Sequence, residues 1–427
     1  MKHVPSSITF FSSIQWLFFI FANTVVVPLS VGAAFEVPPD IVKMMLSYSF
    51  VFTGLACVLQ GWVGHRYPLM EGHSGLLWGV MLNLGLSASA LGMSYTEIGG
   101  GVATGILLSG AVVILLAAFN LISVVQRIFP QMVMTVYLFL LTFQLIFVFF
   151  EGMLGITEDG VMNGPVSLLS LFIVILVSVL KVKGSTVVSN FSILIGIVVG
   201  WILFALIFPD LRSDTVSEGI TFVLFPLGMP NFEIGIVIVA FFAGLMNLSN
   251  TVASIQTAAA LYDEESHLEQ YRRSFFVTGV FSFVAAGGGL VPYTPFTSSI
   301  GFLQSTGILE RKPFFIGGGL LALSGFIPSV ASFLVTMPMT IGNAVLFVAY
   351  LQLFGTAYNS LKGTLFNSNT VFRLAFPVLI GVSLMNVSPS VFQELPILLQ
   401  PFLSNGLIMG VFVSILMEKV IDWNHYE

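Results

Sequence analysis

The chain has 427 residues, of which 56% are hydrophobic and 8% are charged, and its formal net charge is -6 at pH 7. Soluble domains carry roughly 25% charged residues, which excludes water as the main solvent of this chain. The single cysteine, Cys57, excludes an intrachain disulfide, and the absence of a basic stripe argues against nucleic-acid binding. We therefore expect one polytopic domain over residues 1–427, with the lipid bilayer as its main partner.

Fourteen apolar runs divide into two sets of seven, separated by a more polar stretch at 209–233. The first set lies at 8–32, 43–63, 68–93, 101–122, 129–150, 164–180 and 188–208. The second set lies at 234–262, 274–290, 292–306, 313–336, 340–356, 370–387 and 398–417. Because a helix needs about 20 apolar residues to cross a bilayer, this pattern predicts an all-α polytopic membrane protein with 14 transmembrane segments.

Lysine and arginine residues test this count, because they accumulate in cytoplasmic loops. With the first span starting inside, only Lys43 and Arg212 fall outside. Those that fall inside are Lys2, Arg66, Arg127, Lys181, Lys183, Arg272, Arg273, Arg311, Lys312, Lys362, Arg373 and Lys419. Losing one span would scatter these residues between the two faces. We therefore expect a multi-pass protein of the cell membrane with both termini in the cytoplasm.

Seven spans in each half would give the two halves opposite orientations, which is the inverted repeat of many secondary transporters. The halves, 8–208 and 234–418, keep traces of a duplication, since Asn-Thr-Val at 23–25 recurs at 250–252. At the same offset of 227 positions, Glu71 aligns with Ser298. The sequence therefore predicts a 7+7 inverted repeat.

The carboxylate of Glu71 is the strongest functional signal, because it lies in an otherwise apolar run beside His73, Ser74 and Gly75. Hydrocarbon tolerates such a group only where it is shielded or has a role. A buried carboxyl favours its neutral form, and it can exchange a proton as a site alternates between two aqueous sides. The structural alternative is a carboxylate that pairs with Arg66 or caps a short helix.

Glycine and proline interrupt spans 3 and 10. These residues are Pro68, Gly72 and Gly75 in span 3, and Gly287, Gly288, Gly289, Pro292, Pro295 and Gly301 in span 10. Unpaired backbone groups are tolerated at membrane depth only where they face protein, water or a substrate. We therefore predict short extended segments in both spans, which would offer N–H and C=O groups to a planar solute. Alternatively, these residues only kink helices and permit close packing.

Residues 295–307 resemble the signature of the nucleobase/ascorbate transporter family, which reads Gln, Glu or Pro, then Asn-x-Gly, four residues, Thr, and Arg, Lys or Gly. The matching positions are Gly301, Thr306 and Gly307. Ser298-Ser299 stand where the family has its first two residues. Gln15-Trp16 and the Val-Pro-Leu at 27–29 are similar to the family's Gln-His and Val-Pro-Leu pattern. The likeness extends over all 14 spans and indicates a divergent branch near purine and uracil/xanthine permeases.

The resemblance implies a core domain of spans 1–4 and 8–11 that moves like an elevator against a gate domain of spans 5–7 and 12–14. The core would comprise about 8–122 and 234–336, and the gate about 129–208 and 340–418. It also implies a homodimer formed through the gate. In the family's bacterial uracil permease, carboxylates from spans 8 and 10 hold the base, and here Asn247 and Ser298 occupy those positions. Their loss leaves Glu71 as the candidate for proton coupling.

We expect the substrate site to be formed by spans 1, 3, 8 and 10. Helical spacing places Asn247, Thr251 and Ser254 on one stripe, and an asparagine offers both a donor and an acceptor to a nucleobase. Alternatively, this stripe joins helices together. The predicted substrate-binding residues are Gln15, Glu71, His73, Ser74, Gly75, Asn247, Thr251, Thr297, Ser298 and Ser299.

These inferences predict a secondary active transporter, not an enzyme, that imports purine-like nucleobases of the xanthine or uracil class with protons or with Na⁺. One alternative is an anion carrier of the related sulfate and bicarbonate transporter fold, although the core spans supply no arginine beyond Arg66. A polytopic enzyme or receptor is a second alternative, against which the inverted repeat argues. We expect no cofactor and no metal, since the acidic loop at 263–267 is typical of a solvated surface.

Overall fold

A computed structural model describes residues 6–119, 121, 130–156, 160–209, 222–361, 364, 367–392, 394–396 and 399–423. The described chain is mostly helical. Its first half contains α1 (Ser6–Thr24), α2 (Val26–Ala34), α3 (Pro39–Trp62), β1 (Glu71–His73), α4 (Gly75–Leu86), α5 (Ala88–Leu91), α6 (Tyr95–Ala118), α7 (Gln131–Met153), α8 (Gly164–Lys183) and α9 (Thr186–Ile207). The second half contains α10 (Ile234–Leu261), α11 (Leu268–Gly288), β2 (Tyr293–Pro295), α12 (Ser298–Thr306), α13 (Arg311–Ser324), α14 (Pro328–Val335), α15 (Met339–Asn359), α16 (Ser368–Met385), a 3-10 turn (Pro389–Phe392), α17 (Gln400–Leu403) and α18 (Gly406–Val420).

Seven helical segments in the described chain are long and apolar enough to cross a bilayer. These are Thr9–Ala34, Pro39–Trp62, Tyr95–Ala118, Gln131–Met153, Gly164–Lys183, Ile234–Leu261 and Ser368–Met385. The number rises to eight if α13 and α14, which are bent by 87°, form one span. The protein is therefore a multi-pass membrane protein. The count of 14 stays a prediction, because α4 and α12 are each too short to cross a bilayer alone.

The helices pack in two groups. In the first group, α13 packs against α1 and α3, α6 packs against α10 and α11, and α11 joins these two sets by its contact with α3. In the second group, α7 packs against α15, α16 and α18, and α8 packs against α9 and α15. Helix α4 contacts both groups, through α10 and α7. The two-stranded sheet lies in the first group, where β1 contacts α3 and β2 contacts α10 and α11.

The strands β1 and β2 form an antiparallel pair. Its opposing residues are Glu71 and Pro295, Gly72 and Thr294, and His73 and Tyr293. Two further backbone hydrogen bonds extend the ladder, from Phe296 N to Met70 O (2.9 Å) and from Ser74 N to Pro292 O (2.7 Å). Extended segments in spans 3 and 10 are therefore confirmed. Because each strand pairs with the other, the backbone groups that form the ladder are satisfied by protein.

The register of this pair corrects the alignment of the two halves. The ladder is centred on Gly72 and Thr294, so its local two-fold axis relates Glu71 to Tyr293, 222 positions later. The constant offset of 227 that placed Ser298 opposite Glu71 is therefore wrong at the strands. The reason is that the second half has fewer residues between its Asn-Thr-Val tripeptide and its strand, and Ser298 falls beyond β2 at the start of α12.

Candidate functional site

Glu71 is 1% exposed and lies between β2 and the end of α3. Its backbone N–H donates to the sulfur of Cys57 at 3.2 Å, and its Oε1 lies 3.1 Å from Nε2 of His65. Among the described residues, its Oε2 has no hydrogen-bond partner. The carboxylate therefore contacts a buried histidine instead of Arg66, whose side chain is exposed.

The partner of Glu71, His65, was missed by the sequence reasoning. Six residues of extended chain would separate these side chains by about 20 Å. The segment instead turns back at Arg66, whose φ of 66° lies in the left-handed region, and this turn brings the two side chains together. Gln270 of α11 fixes the turn by donating to the carbonyl oxygen of His65 at 3.1 Å. A second titratable residue six positions before the carboxylate was the available signal.

His73 has partners at both ring nitrogens. Nε2 lies 2.6 Å from Oγ of Ser49 on α3, and Nδ1 lies 2.7 Å from the carbonyl oxygen of Val291. A carbonyl oxygen can only accept, so Nδ1 carries a proton and Ser49 donates to Nε2 of the neutral ring. His73 thereby ties β1 to α3 and to the chain that leads into β2. This geometry favours its structural interpretation over substrate binding.

The polar stripe of α10 holds β2 in place. Its contacts are Asn247 Nδ2 to Tyr293 O (2.9 Å), Asn250 Nδ2 to Thr294 Oγ1 (3.0 Å) and Ser254 Oγ to Pro295 O (2.9 Å). The predicted stripe therefore faces the strand pair. Its hydrogen bonds join α10 to β2, which agrees with the alternative that these side chains hold structural elements together. Within the described chain, Oδ1 of Asn247 and Oγ1 of Thr251 are buried without a partner. These two oxygens therefore have unused hydrogen-bonding capacity beside the strand pair.

Replacing Asn247 with Asp should disturb this attachment. Its amide donates to the carbonyl oxygen of Tyr293, which cannot donate in return, so Asn247→Asp places two acceptors together. We expect a loss of about 1–3 kcal/mol in stability and weaker uptake, measured by thermal unfolding in detergent and by vesicle assay. The matched control is Asn250→Asp, since the hydroxyl of Thr294 can rotate and donate to the new carboxylate. Equal damage from both variants would contradict this role of Asn247.

The helices α4 and α12 begin directly after the strands, so their positive dipole ends lie at the sheet. Ser74 caps α4 by accepting from Leu77 N at 3.4 Å, and Ser299 accepts from Met70 N at 2.9 Å. Thr297 is the half-buried N-cap residue of α12, which starts with the exposed Ser298. Gly301 follows one turn later and borders open space. Ser298 and Gly301 therefore mark an accessible face of α12.

Two predicted residues lie away from these contacts. Gly75 faces the second helix group, where an added Cβ would meet Tyr350 and Leu145 at 3.6 and 3.7 Å. Gln15 is half-buried on α1, and its neighbour Trp16 packs edge-on against Phe302 of α12 at 4.6 Å. Glu71 and His73 are part of the strand pair, and Asn247 and Ser299 contact it directly.

Comparisons with known proteins agree on one family. The Permease family profile matches residues 7–390. "Putative purine permease YwdJ" of Bacillus subtilis is 28% identical over 428 residues, covering 96% of this chain and 95% of that protein. "Nucleobase transporter PlUacP" of Paenibacillus larvae is 25% identical over 419 residues, covering 95% and 92%. "Xanthine permease" of Bacillus subtilis is 24% identical over 421 residues, covering 96% and 92%.

Solved structures share the fold. The transmembrane domain of the cyanobacterial bicarbonate transporter BicA has a TM-score of 0.61 at 17% identity and covers 94% of this chain and 96% of its own. The murine anion transporter Slc26a9, in an inward-facing state, has a TM-score of 0.62 at 11% identity, covering 98% and 70%. These proteins are transporters, as the relatives are by name. The profile match over residues 7–390 shows that the chain belongs to the Permease family of nucleobase/ascorbate transporters.

Proposed function

We propose that this protein is a secondary active transporter that imports purine-like nucleobases of the xanthine or uracil class by proton symport. The observation that carries the proposal is the pair of strands at which two helix N-termini meet a buried carboxylate. Relatives named for purines, nucleobases and xanthine support the substrate class. A proton is the proposed coupling ion because Glu71 is a titratable group within this arrangement.

The chemistry of the strand pair suits a planar base. The unpartnered oxygens of Asn247 and Thr251 can accept from ring N–H groups. The hydroxyl of the exposed Ser298, at the positive dipole end of α12, can donate to exocyclic carbonyl oxygens. Thr297 and Ser299 would shape this end of the site. A nucleobase edge alternates such donors and acceptors, so it satisfies both sets at once.

We further propose 14 spans in a 7+7 inverted repeat, with the cytoplasmic termini and cell-membrane location that the charge pattern predicts. The two helix groups support a core of about 8–122 and 234–336 and a gate of about 129–208 and 340–418. In this proposal the core carries the strand pair past the gate like an elevator. The apolar helices α8 and α16 are the least buried of the seven candidate spans, which leaves gate surface for lipid and for the second copy of a homodimer.

A hydrogen bond crosses the proposed boundary, from Nε2 of Gln144 on α7 to the carbonyl oxygen of Gly79 on α4 at 2.8 Å. An elevator movement must separate these residues. We expect the double variant Gly79→Cys, Gln144→Cys to lose uptake when a cleavable bifunctional thiol reagent links the two positions, and to recover after cleavage. Both positions are buried, so the reagent is added while the protein transports base, in a Cys57→Ser background that removes the native thiol. Each single variant is the control, and full uptake by linked protein would exclude the movement.

An anion carrier is the second candidate function. It is favoured by the fold shared with BicA and Slc26a9 and by the lack of carboxylates at Asn247 and Ser298. An anion would then bind at the N-termini of α4 and α12. Against this candidate, the Arg66 side chain is exposed, and no arginine of the described residues is bonded to the strand pair.

The test is uptake of labelled xanthine, hypoxanthine, guanine, uracil and urate by purified protein in liposomes, with and without an inward proton gradient. Accumulation that needs the gradient supports the proposal and ranks the substrates. Accumulation that needs Na⁺ instead changes the coupling ion. Absence of base uptake, together with sulfate or bicarbonate exchange, would replace the proposal with the anion carrier.

A further inference from the structure

The hydrogen bond between His65 and Glu71 has a defined donor and a defined acceptor. Tyr67 N–H donates to Nδ1 of His65 at 3.1 Å, so this nitrogen holds a lone pair and no proton. The proton of the neutral ring is therefore on Nε2, which lies 3.1 Å from Oε1 of Glu71. A second ring proton would place two N–H groups against each other. The backbone thus fixes the tautomer of the neutral His65 ring.

The same contact distinguishes the two oxygens of Glu71. Oε1 accepts from His65, whereas the buried Oε2 has no partner among the described residues. A proton added to Oε1 would compete with the hydrogen bond that this oxygen already accepts. A proton added to Oε2 leaves that bond intact. Protonation at Oε2 is therefore the favourable one.

We propose that His65 is a positioning residue for Glu71, which stays neutral, donates to Oε1 and confines the transported proton to Oε2. The proposal rests on the proposed proton symport and names the atom that carries the transported proton. When the proton binds, an O–H bond forms at Oε2, and when it leaves, the same bond breaks. His65 neither gains nor loses a proton in this cycle. It acts by orienting the carboxyl and by stabilising its anionic form.

The surroundings contain few other charges that could replace His65. On the elements packed against β1, the titratable side chains that lie nearby are Cys57 of α3 and Tyr293 of β2. His73, on β1 itself, is already bonded at both nitrogens. Lys43 lies about four turns along α3 from Cys57. On α11, Arg272 and Arg273 pair with Glu269 at the surface. In the described chain, His65 is therefore the group bonded to the Glu71 carboxyl.

Two substitutions separate positioning from proton carriage. His65→Gln keeps a neutral donor that can reach Oε1 but cannot accept a proton at physiological pH. We expect it to retain proton-driven accumulation and the pH midpoint of the Glu71 carboxyl. His65→Leu removes the donor, so the anion loses a hydrogen bond, the neutral form persists to higher pH, and the midpoint should rise by about one to two pH units.

The midpoint is measured by infrared titration of the protonated carboxyl in lipid nanodiscs, with Glu71→Gln as the spectral blank. This measurement needs no transport, so failure of the proposed function in the uptake assay would leave it valid. Nitrogen NMR of the unmodified protein labelled with ¹⁵N-histidine provides a second test. The His65→Gln variant serves only to identify the signals of His65. The NMR spectrum should show a proton at Nε2 of His65 and none at Nδ1.

Three results would overturn the proposal. One is a proton at Nδ1 of His65 in the NMR spectrum. Another is loss of proton-driven accumulation in His65→Gln while its Glu71 carboxyl still titrates, because His65 would then carry the proton. The last is an unchanged midpoint in folded His65→Leu, because the contact would then have no influence on the carboxyl.

Discussion

Glu71→Gln should abolish accumulation of base driven by a proton gradient while binding of the base is partly kept. The amide preserves the shape and can still accept from His65 at 3.1 Å, but it cannot titrate. A symporter that carries one proton per base accumulates its substrate about tenfold for each pH unit of gradient. In the variant we expect equilibration of base without accumulation. The measurement is radiolabelled uptake in liposomes under an imposed gradient, with binding measured by calorimetry.

The matched control for this variant is Glu151→Gln, at the exposed end of α7. It makes the same chemical change away from the strand pair and should accumulate base as the unmodified protein does. Unchanged gradient-driven accumulation in Glu71→Gln would exclude this residue from coupling. Loss of binding together with accumulation would instead assign Glu71 to substrate recognition.

Gly54→Leu should prevent stable folding, because α3 and α13 cross with their backbones in contact at this residue. A Cβ added at Gly54 would lie 2.7 Å from the backbone nitrogen of Ala322 and closer still to the carbonyl oxygen of Gly318. Neither backbone atom can move away without separating the helices. Overpacking of this kind costs about 3 kcal/mol or more where the neighbours cannot yield. We expect loss of monodisperse protein, or a large fall in Tm, in detergent.

Gly319→Leu is the control on the partner helix, since an added Cβ there meets no described atom within 4 Å. This substitution should leave Tm nearly unchanged or raise it slightly, because leucine favours a helix over glycine by up to about 1 kcal/mol. Comparable losses in both variants would mean that bulk in α13 and α3 is harmful in general. The explanation by close approach at Gly54 would then fail.

The extended segments show how far local sequence reasoning reaches. Pro68 and Gly72, with Pro292 and Pro295, interrupt apolar runs where a continuous helix would lose backbone hydrogen bonds, so the breaks were predictable. That the two breaks pair with each other depends on how two distant parts of the chain meet. The alignment of Glu71 with Ser298 was wrong because the offset of 227 assumes equal numbers of residues between the Asn-Thr-Val tripeptide and the strand in both halves.

The candidate site also contains features that the sequence predicted and features that it did not. The polar stripe of Asn247 and Ser254 followed from helical periodicity, but the partner it faces, β2, did not. His65 was missed because its distance from Glu71 depends on a turn at Arg66 and not on the number of residues between them. The substrate roles of all ten predicted residues stay predictions, namely those of Gln15, Glu71, His73, Ser74, Gly75, Asn247, Thr251, Thr297, Ser298 and Ser299.

By itself, the sequence determined the membrane environment, the helical class and the two interrupted segments, because composition and periodicity report directly on the solvent that each residue meets. It also carried the family resemblance in residues 295–307, which the profile match confirms. Only the tertiary structure decided that β1 pairs with β2, that His73 is bonded at both nitrogens, and that Glu71 contacts His65. Hydrogen bonds form over about 3 Å, and their partners here come from segments whose approach is set by the packing of whole helices.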